Sequence, residues 1–266
     1  MDIIEAIKAR VSVRSYAREA LTKEQAEALE KAIEQATSPF GGSVAIRLRE
    51  FELHGTYKPS TYGIITGARD FLLMALGDDE ASALSGGFMM EQVILRATEL
   101  GLGTCWIAAT FRGSDFERGV TWASDQSLRI ISPVGMPAEK RSLKERLMRF
   151  AVRSAKRHPF GKLFFSNGFS IPLDIDSRYG EALEMMRLAP SSTNSQPWRA
   201  TVDNDTVHFY YKPKSSLSVL DCGIGLCHFF VTEQHNQHSG KFFRSAEASS
   251  APENWVYLTS YTECLD

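Results

Sequence analysis

Residues 189–198 read APSSTNSQPW, a run dense in groups that could hold a ligand. Ser191, Ser192, Asn194 and Gln196 supply donors and acceptors, while Pro190 and Pro197 stiffen the chain between them. Polar groups held in place beside Trp198 suit a heteroaromatic ligand with polar edges, although a plain turn uses the same residue types. A second run, RVSVRSY at 10–16, sets Arg10, Ser12 and Arg14 at alternate positions. In an extended segment those side chains point the same way, and two guanidiniums with a hydroxyl match a phosphate. A solvated basic turn after a first helix is the commoner origin of such a string, and the residues alone leave both open. GLGTCWI at 101–107 combines a helix-ending glycine with a second glycine and an aromatic. Glycine there would let the backbone approach a flat ligand, or the segment would only end a helix with Trp106 in the core.

Several other chemistries find no support. Neither GLG at 101–103 nor GIG at 223–225 follows a strand and opens a helix with a third glycine, so a Rossmann dinucleotide site is rejected. HNQH at 235–238, near Cys227 and His228, lacks a further ligand pair at metal spacing, and no metal is expected. No P-loop, nucleophile elbow or acid pair occurs, and no catalytic side chain is assigned. The segment 140–158 carries eight Lys/Arg against one Glu and reads as a basic amphipathic helix, solvated on its outer side.

These residues need elements to position them. The chain has 266 residues, 43% hydrophobic, with a net charge of -2, enough for a sizeable core and giving no general reason to bind nucleic acid. No apolar run reaches the roughly 20 residues that span a bilayer. Four scattered cysteines fit a reducing compartment, and the acidic N-terminus does not read as a signal peptide; a soluble cytoplasmic protein is expected. A T-x-x-Q box at Thr22 and Gln25 opens a helix carrying Leu29 and Ile33, which should end near Ser38-Pro39. VAIRLREFEL alternates with a phase slip before Phe51, a strand with a bulge. RDFLLMALG reads as a buried strand, and GGFMMEQVILRATELG as a buried central helix ending at Gly101. SLRIISPVGMP is a strand stopped by Pro133 and Pro137, and 159–176 an irregular connector. Then follow a helix at 178–188, a strand DTVHFYYKP, a second apolar helix LDCGIGLCHFFVTEQ, and strands near GKFFRSAE and WVYLTSY. The fold class is α+β, with strands and helices interspersed.

The order helix, loop, strand, turn, helix, strand occurs twice. EALE recurs at 27–30 and 181–184, and LSGGFMMEQVIL at 84–95 matches LDCGIGLCHFFV at 220–231 without gaps, Leu84 on Leu220 and Gly87 on Gly223. Two half-repeats are expected, 1–158 and 159–266, intertwined in one compact unit.

Together these runs resemble the flavin-dependent nitroreductase family. R-x-S-x-R-x-Y is matched at Arg10, Ser12, Arg14 and Tyr16, and A-P-S-x-x-N-x-Q-P-W at Ala189, Pro190, Ser191, Asn194, Gln196, Pro197 and Trp198. GLGTCWI is similar to the family's flavin-facing stretch, and SPVGMPAEKR to the strand and basic residue near the phosphate. Family members carry both motifs in one subunit and bind flavin at a dimer interface. Here the first half keeps the arginines and reads ATSPFGG at the loop position, while the second keeps the loop and reads PFGKLFFSNGFS where the arginines would stand. The resemblance therefore implies a mixed sheet flanked by helices, fused as a pseudo-dimer that acts as a monomer with one complete FMN site. It implies that Arg10, Lys140 and Arg141 hold the FMN phosphate, and that Ser12 and Arg14 meet the ribityl chain or pyrimidine edge. Gly103, Thr104, Trp106 and Ile107 would face the ring system, with Pro190, Ser191, Ser192, Asn194 and Gln196 closing over it. The implied activity is ping-pong transfer of hydride from NADH or NADPH to a nitroaromatic or quinone-type acceptor. The alternatives are a non-catalytic FMN-binding sensor or store, and a polyanion-binding module acting through 140–158.

Overall fold

Thr22 opens a helix as its capping box requires: its side chain accepts from the Gln25 N–H, and Gln25 returns a bond to the Thr22 N–H. Asp2 and Glu5 make the same reciprocal pair at the start of the chain. In the computed structural model, which describes residues 1–52, 59–139 and 156–264, these caps begin α1 (Ile3–Ala9) and α2 (Lys23–Gln35). Helix α2 stops at Ala36, two residues before the expected Ser38.

The first sheet has the order β1-β2-β4-β3, all antiparallel, from β1 (Val44–Glu50), β2 (Asp70–Leu76), β3 (Gly103–Thr104) and β4 (Ser127–Gly135). Strand β2 is buried along its whole length because both its faces are covered. Leu72, Met74 and Leu76 join the main core, whereas Phe71 and Leu73 join a smaller cluster with Phe51, Phe116 and Ile131. That division explains the phase slip before Phe51. The register of β1 on β2 is unbroken from Val44 to Glu50, and Phe51 simply turns to the other cluster, so β1 carries no bulge. The irregularity lies instead between Met74 and Ala75, against β4. Pro133 does not stop β4. It pairs with Phe71, and its carbonyl accepts from the Tyr16 hydroxyl. A strand residue's N–H and C=O point the same way, so the missing N–H falls on the Tyr16 side, where no ladder bond is required.

The second sheet has the order β6-β5-β7-β8-β10-β9. Its members are β5 (Phe164–Ser166), β6 (Ile171–Pro172), β7 (Trp198–Asp203), β8 (Thr206–Tyr211), β9 (Gly240–Phe243) and β10 (Val256–Glu263). The segment 159–176 is thus more than a connector: β5 and β6 form a small hairpin, and β5 adds to the sheet parallel to β7. Strand β7, absent from the expected list, forms a hairpin with β8 through Asn204-Asp205, where Asn204 takes a positive φ of 54°. The series β7-β8-β10-β9 repeats the order and antiparallel sense of β1-β2-β4-β3.

The remaining helices are α3 (Glu80–Glu99), α4 (Gly113–Glu117), α5 (Gly180–Leu188) and α6 (Ser218–His235); α3, α5 and α6 all contribute to the main core. Helix α3 ends as expected, Gly101 lying just beyond it at a φ of 74°. Helices α3 and α6 cross at glycines, reciprocally. A Cβ on Gly87 would overlap the Leu220 carbonyl oxygen, and one on Gly223 would overlap the Leu84 carbonyl oxygen. Both sheets therefore feed one continuous core, which includes Leu84, Phe88, Leu220 and Phe209.

Because the obstacle at Gly87 is backbone, Gly87→Ala should lower stability. The expected loss is about 1–3 kcal/mol from overpacking, outweighing the ~1 kcal/mol that alanine gains over glycine in a helix. Thermal unfolding measures it; an unchanged or raised Tm would contradict the backbone contact.

Candidate functional site

The segment after α1 leaves the helix at Arg10, where ψ is 123°, and lies along β3. Ser12 makes a parallel bridge to Thr104, and the Val13 N–H donates to the Thr104 carbonyl at 2.8 Å. Gly103 permits this approach, since a Cβ there would sit 2.7 Å from the Val13 Cγ2. Val13 and Tyr16 are buried in the smaller cluster. The side chains of Arg10, Ser12 and Arg14 line a cavity of about 380 Å³, a size typical of small-molecule sites.

The opposite wall comes from the second sheet's side of the molecule. After α5 the chain turns at Ala189, and Pro190, Ser191, Ser192, Thr193 and Asn194 line the same cavity. A 3₁₀ turn at Ser192–Asn194 shapes this wall. Thr193, Asn194 and Gln196 have φ of 51°, 57° and 46°, a left-handed region that costs non-glycine residues energy unless neighbours hold them there. The neighbours are identifiable. The Ser191 hydroxyl accepts the Gln196 N–H at 2.9 Å, and the Gln196 side chain accepts the His158 N–H at 2.8 Å. Asn194 donates to the Lys156 carbonyl at 2.7 Å, and Arg157 donates to the Asn194 side chain at 3.0 Å and to the Leu188 carbonyl at 3.0 Å.

The two distant runs thus face each other across one cavity. Arg10, Ser12, Arg14, Trp106, Ile107, Pro190, Ser191, Ser192 and Asn194 all line it. Gly103, Thr104 and Gln196 do not: the first two carry the arginine segment, and Gln196, 2% exposed, ties the loop to residues 156–158. Lys140 and Arg141 lie outside the described residues, as does most of the basic segment 140–158; Lys156 to His158 are not helical.

Three charged groups of the site were not anticipated. Arg157 lines the cavity, and burial with the neighbouring charge of Arg10 pushes its guanidinium down to about 10. Among eight cations in its run nothing distinguished it. Asp221, in the first turn of α6, faces the cavity beside the apolar Leu217, Leu220 and Ile224. It accepts the Ser192 N–H at 2.9 Å, and burial pushes its carboxyl up to about 7, against the effect of that bond. Glu91, in the middle of α3, is fully buried and accepts the Trp106 indole N–H at 2.8 Å. Each acid shares its helix with other carboxylates, Glu80 and Glu99 in α3 and Glu233 in α6, so the sequence did not single it out.

Arg10 Nε and Nη1 and Arg14 Nε and Nη1 are buried without a hydrogen-bond partner among the described residues. Unmet guanidinium donors at a cavity call for an acceptor within it. The cavity accordingly offers anion-binding donors on one side, small polar groups on the other, and apolar walls between, the chemistry of a site for a flat anionic ligand.

The matched position across the helix crossing is different. Carried past the helices without a gap, the match of α3 on α6 sets Phe242 opposite Trp106. Phe242 packs against Phe40 at 5.0 Å, Phe230 at 5.8 Å and Phe88 at 6.2 Å between ring centroids. Aromatic rings fill that side.

A family model described as "Putative TM nitroreductase" matches residues 2–233. A solved structure from Thermotoga maritima, described as a "putative nitroreductase", is similar over 99% of this chain and 93% of its own, at 19% identity and a TM-score of 0.61. That likeness shows the fold. A nitroreductase with bound FMN from Bacteroides fragilis aligns with 54% of this chain and 92% of its own, at 17% identity and a TM-score of 0.44. A "putative nitroreductase" in complex with FMN from Desulfovibrio desulfuricans aligns with 56% of this chain and 96% of its own, at 20% identity and a TM-score of 0.41. Comparison with curated proteins returns no match.

Asp221 generates a pH prediction. Its folded value is raised above the ordinary 3.8, so its contribution to stability is full below pH 4 and is lost as pH rises through about 7. Asp221→Asn should remove on the order of 3 kcal/mol of that decline. Urea unfolding of both proteins at pH 4.5 and 8 checks this; parallel pH dependences would contradict the carboxyl's burial.

Proposed function

This chain belongs to the TM nitroreductase family, and on that premise we propose that it is an FMN-dependent oxidoreductase with one cofactor in the cavity between its halves. One observation carries the reading: guanidinium nitrogens of Arg10 and Arg14 that make no hydrogen bond to the described residues share a cavity with the polar loop at 190–194. A phosphate supplies the acceptors those guanidiniums lack, and a flat ring with polar edges suits the serine and asparagine side, so the residues present fit FMN.

When bound, FMN would supply hydride transfer from NADH or NADPH to a nitroaromatic or quinone-type acceptor in a ping-pong sequence. The chain's own part is to bind, orient and exclude water. Arg10, with Lys140, Arg141 and Arg157, would hold the phosphate, and Ser12 and Arg14 the ribityl chain or pyrimidine edge. Trp106 and Ile107 would wall the ring, with Gly103 and Thr104 fixing the arginine segment behind them. Pro190, Ser191, Ser192 and Asn194 would close the far side, and Gln196 would keep that loop in shape. Leu217, Leu220 and Ile224 keep the wall between apolar.

We also read the chain as two fused half-repeats, 1–158 and 159–266, acting as a monomer. The repeated strand order and the reciprocal glycine crossing support this. The aromatic filling around Phe242 supports one FMN per chain. Described cysteines are all free thiols, and no described helix is long and apolar enough to cross a membrane; the cytoplasm is the compartment we propose.

Titration of the protein with FMN, followed by quenching of flavin fluorescence, tests the reading. About one FMN per chain is expected, with Arg10→Gln binding about tenfold more weakly. NADH or NADPH should bleach the bound flavin, and a nitroaromatic should restore its colour. Absence of binding would contradict the function outright, while binding without bleaching by either donor would favour a sensor or store.

A further inference from the structure

Glu91 on α3 and His228 on α6 are both fully buried and meet across the helix crossing. His228 Nδ1 lies 3.0 Å from the Met185 carbonyl oxygen on α5, and Nε2 lies 2.9 Å from Glu91 Oε1. A carbonyl can only accept, so Nδ1 carries a proton. A neutral ring would then aim the Nε2 lone pair at a carboxylate oxygen at hydrogen-bond distance, and a second proton must lie between them. Glu91 also accepts from Trp106, and its Oε1 is 3.8 Å from Arg10 Nε. An indole donor on one oxygen and the Arg10 guanidinium beside the other are partners of a carboxylate rather than of a carboxylic acid, which puts that proton on the imidazole. The other titratable group facing the pair, the Cys227 thiol on α6, is pushed well up by burial and by Glu91 and stays neutral. Arg157 adds a like charge near Arg10.

The charges then count simply. The glutamate's charge is cancelled within the helix crossing, and the positive charge of Arg10, on the cavity wall, is left over. Were His228 neutral, Glu91 would pair with Arg10 instead, and at this separation in a buried site the wall would lose its attraction for anions. We infer that His228 is a positioning residue: its second proton cancels Glu91 and keeps the charge of Arg10 available to an anionic group in the cavity. The trio exists on one side only. The matched position of Glu91 is Cys227, and that of His228 is Gln92.

The consequence for ligand binding rests on the FMN reading, whereas the protonation itself does not, so two measurements separate them. In ¹⁵N-labelled wild-type protein at pH 7, with His228 assigned by through-bond correlation, both ring nitrogens should carry a proton. A single ring N–H would overturn the inference whether or not FMN binds. In FMN titrations, His228→Gln should weaken binding about tenfold, because Glu91 then neutralises Arg10. Adding Glu91→Gln to that variant removes the charge and should restore most of the affinity. An unaffected His228→Gln variant, or a double variant as weak as the single, would overturn it. A purely structural role for His228 predicts the latter result. Failure of wild-type protein to bind FMN would count against the proposed function and leave the NMR result to decide the protonation.

Discussion

Two helices meet backbone to backbone at Gly87 and Gly223, and this contact sets the geometry of the rest. With no side chain between them, α3 and α6 lie close enough to share one core with both sheets. Their approach also brings Glu91 within reach of His228, and it sets α6, with Leu220, Asp221 and Ile224, against the segment after α1. The cavity is what remains where the side chains of α1, α6 and the loop at 190–194 do not meet. A chain in which these helices stood further apart would separate the arginines from the serine and asparagine loop.

The crossing is symmetrical in its backbone and unsymmetrical in its side chains. On one side the polar groups are Arg10, Glu91, Trp106 and His228; on the other Phe40, Phe88, Phe230 and Phe242 pack ring against ring. Buried charge is costly unless compensated, so the polar side is held only by a connected set of bonds and an open cavity. The aromatic side needs neither and contributes dispersion and apolar burial instead. One side of the crossing is thus given to packing, and the other is left with an open cavity. Beside the cavity, the loop carrying the positive φ values at Thr193, Asn194 and Gln196 is held by bonds with Lys156, Arg157 and His158 and by the Ser191 hydroxyl.

Much of the fold was legible because its signals are local. The Thr22 capping box, the mostly apolar β2 and the Gly101 helix end depend on neighbouring residues and fall where expected. Misreadings came where tertiary packing decides. Phe51 breaks the alternation of β1 because it serves a second core, and Pro133 stays in its strand because the lost N–H faces the Tyr16 side. Residues 159–176 looked irregular because β5 and β6 are too short to show a period, and they exist through pairing with β7. At the site, Arg10, Ser12, Arg14 and the 189–198 loop stood out through motif and resemblance. Arg157 lay hidden in a basic run, and Asp221 and Glu91 look like ordinary helix residues until their burial is known.

The account depends on a single ligand held between an arginine segment and a loop about 180 residues apart in sequence. A crystal structure of the protein grown with FMN tests this most directly. The account predicts one flavin per chain, with its phosphate on Arg10, its ribityl chain or pyrimidine edge beside Ser12 and Arg14, and the side chains of Ser191 to Asn194 against its far side. Flavin lodged at the Phe242 cluster, or held between two copies of the chain away from Arg10, would contradict it.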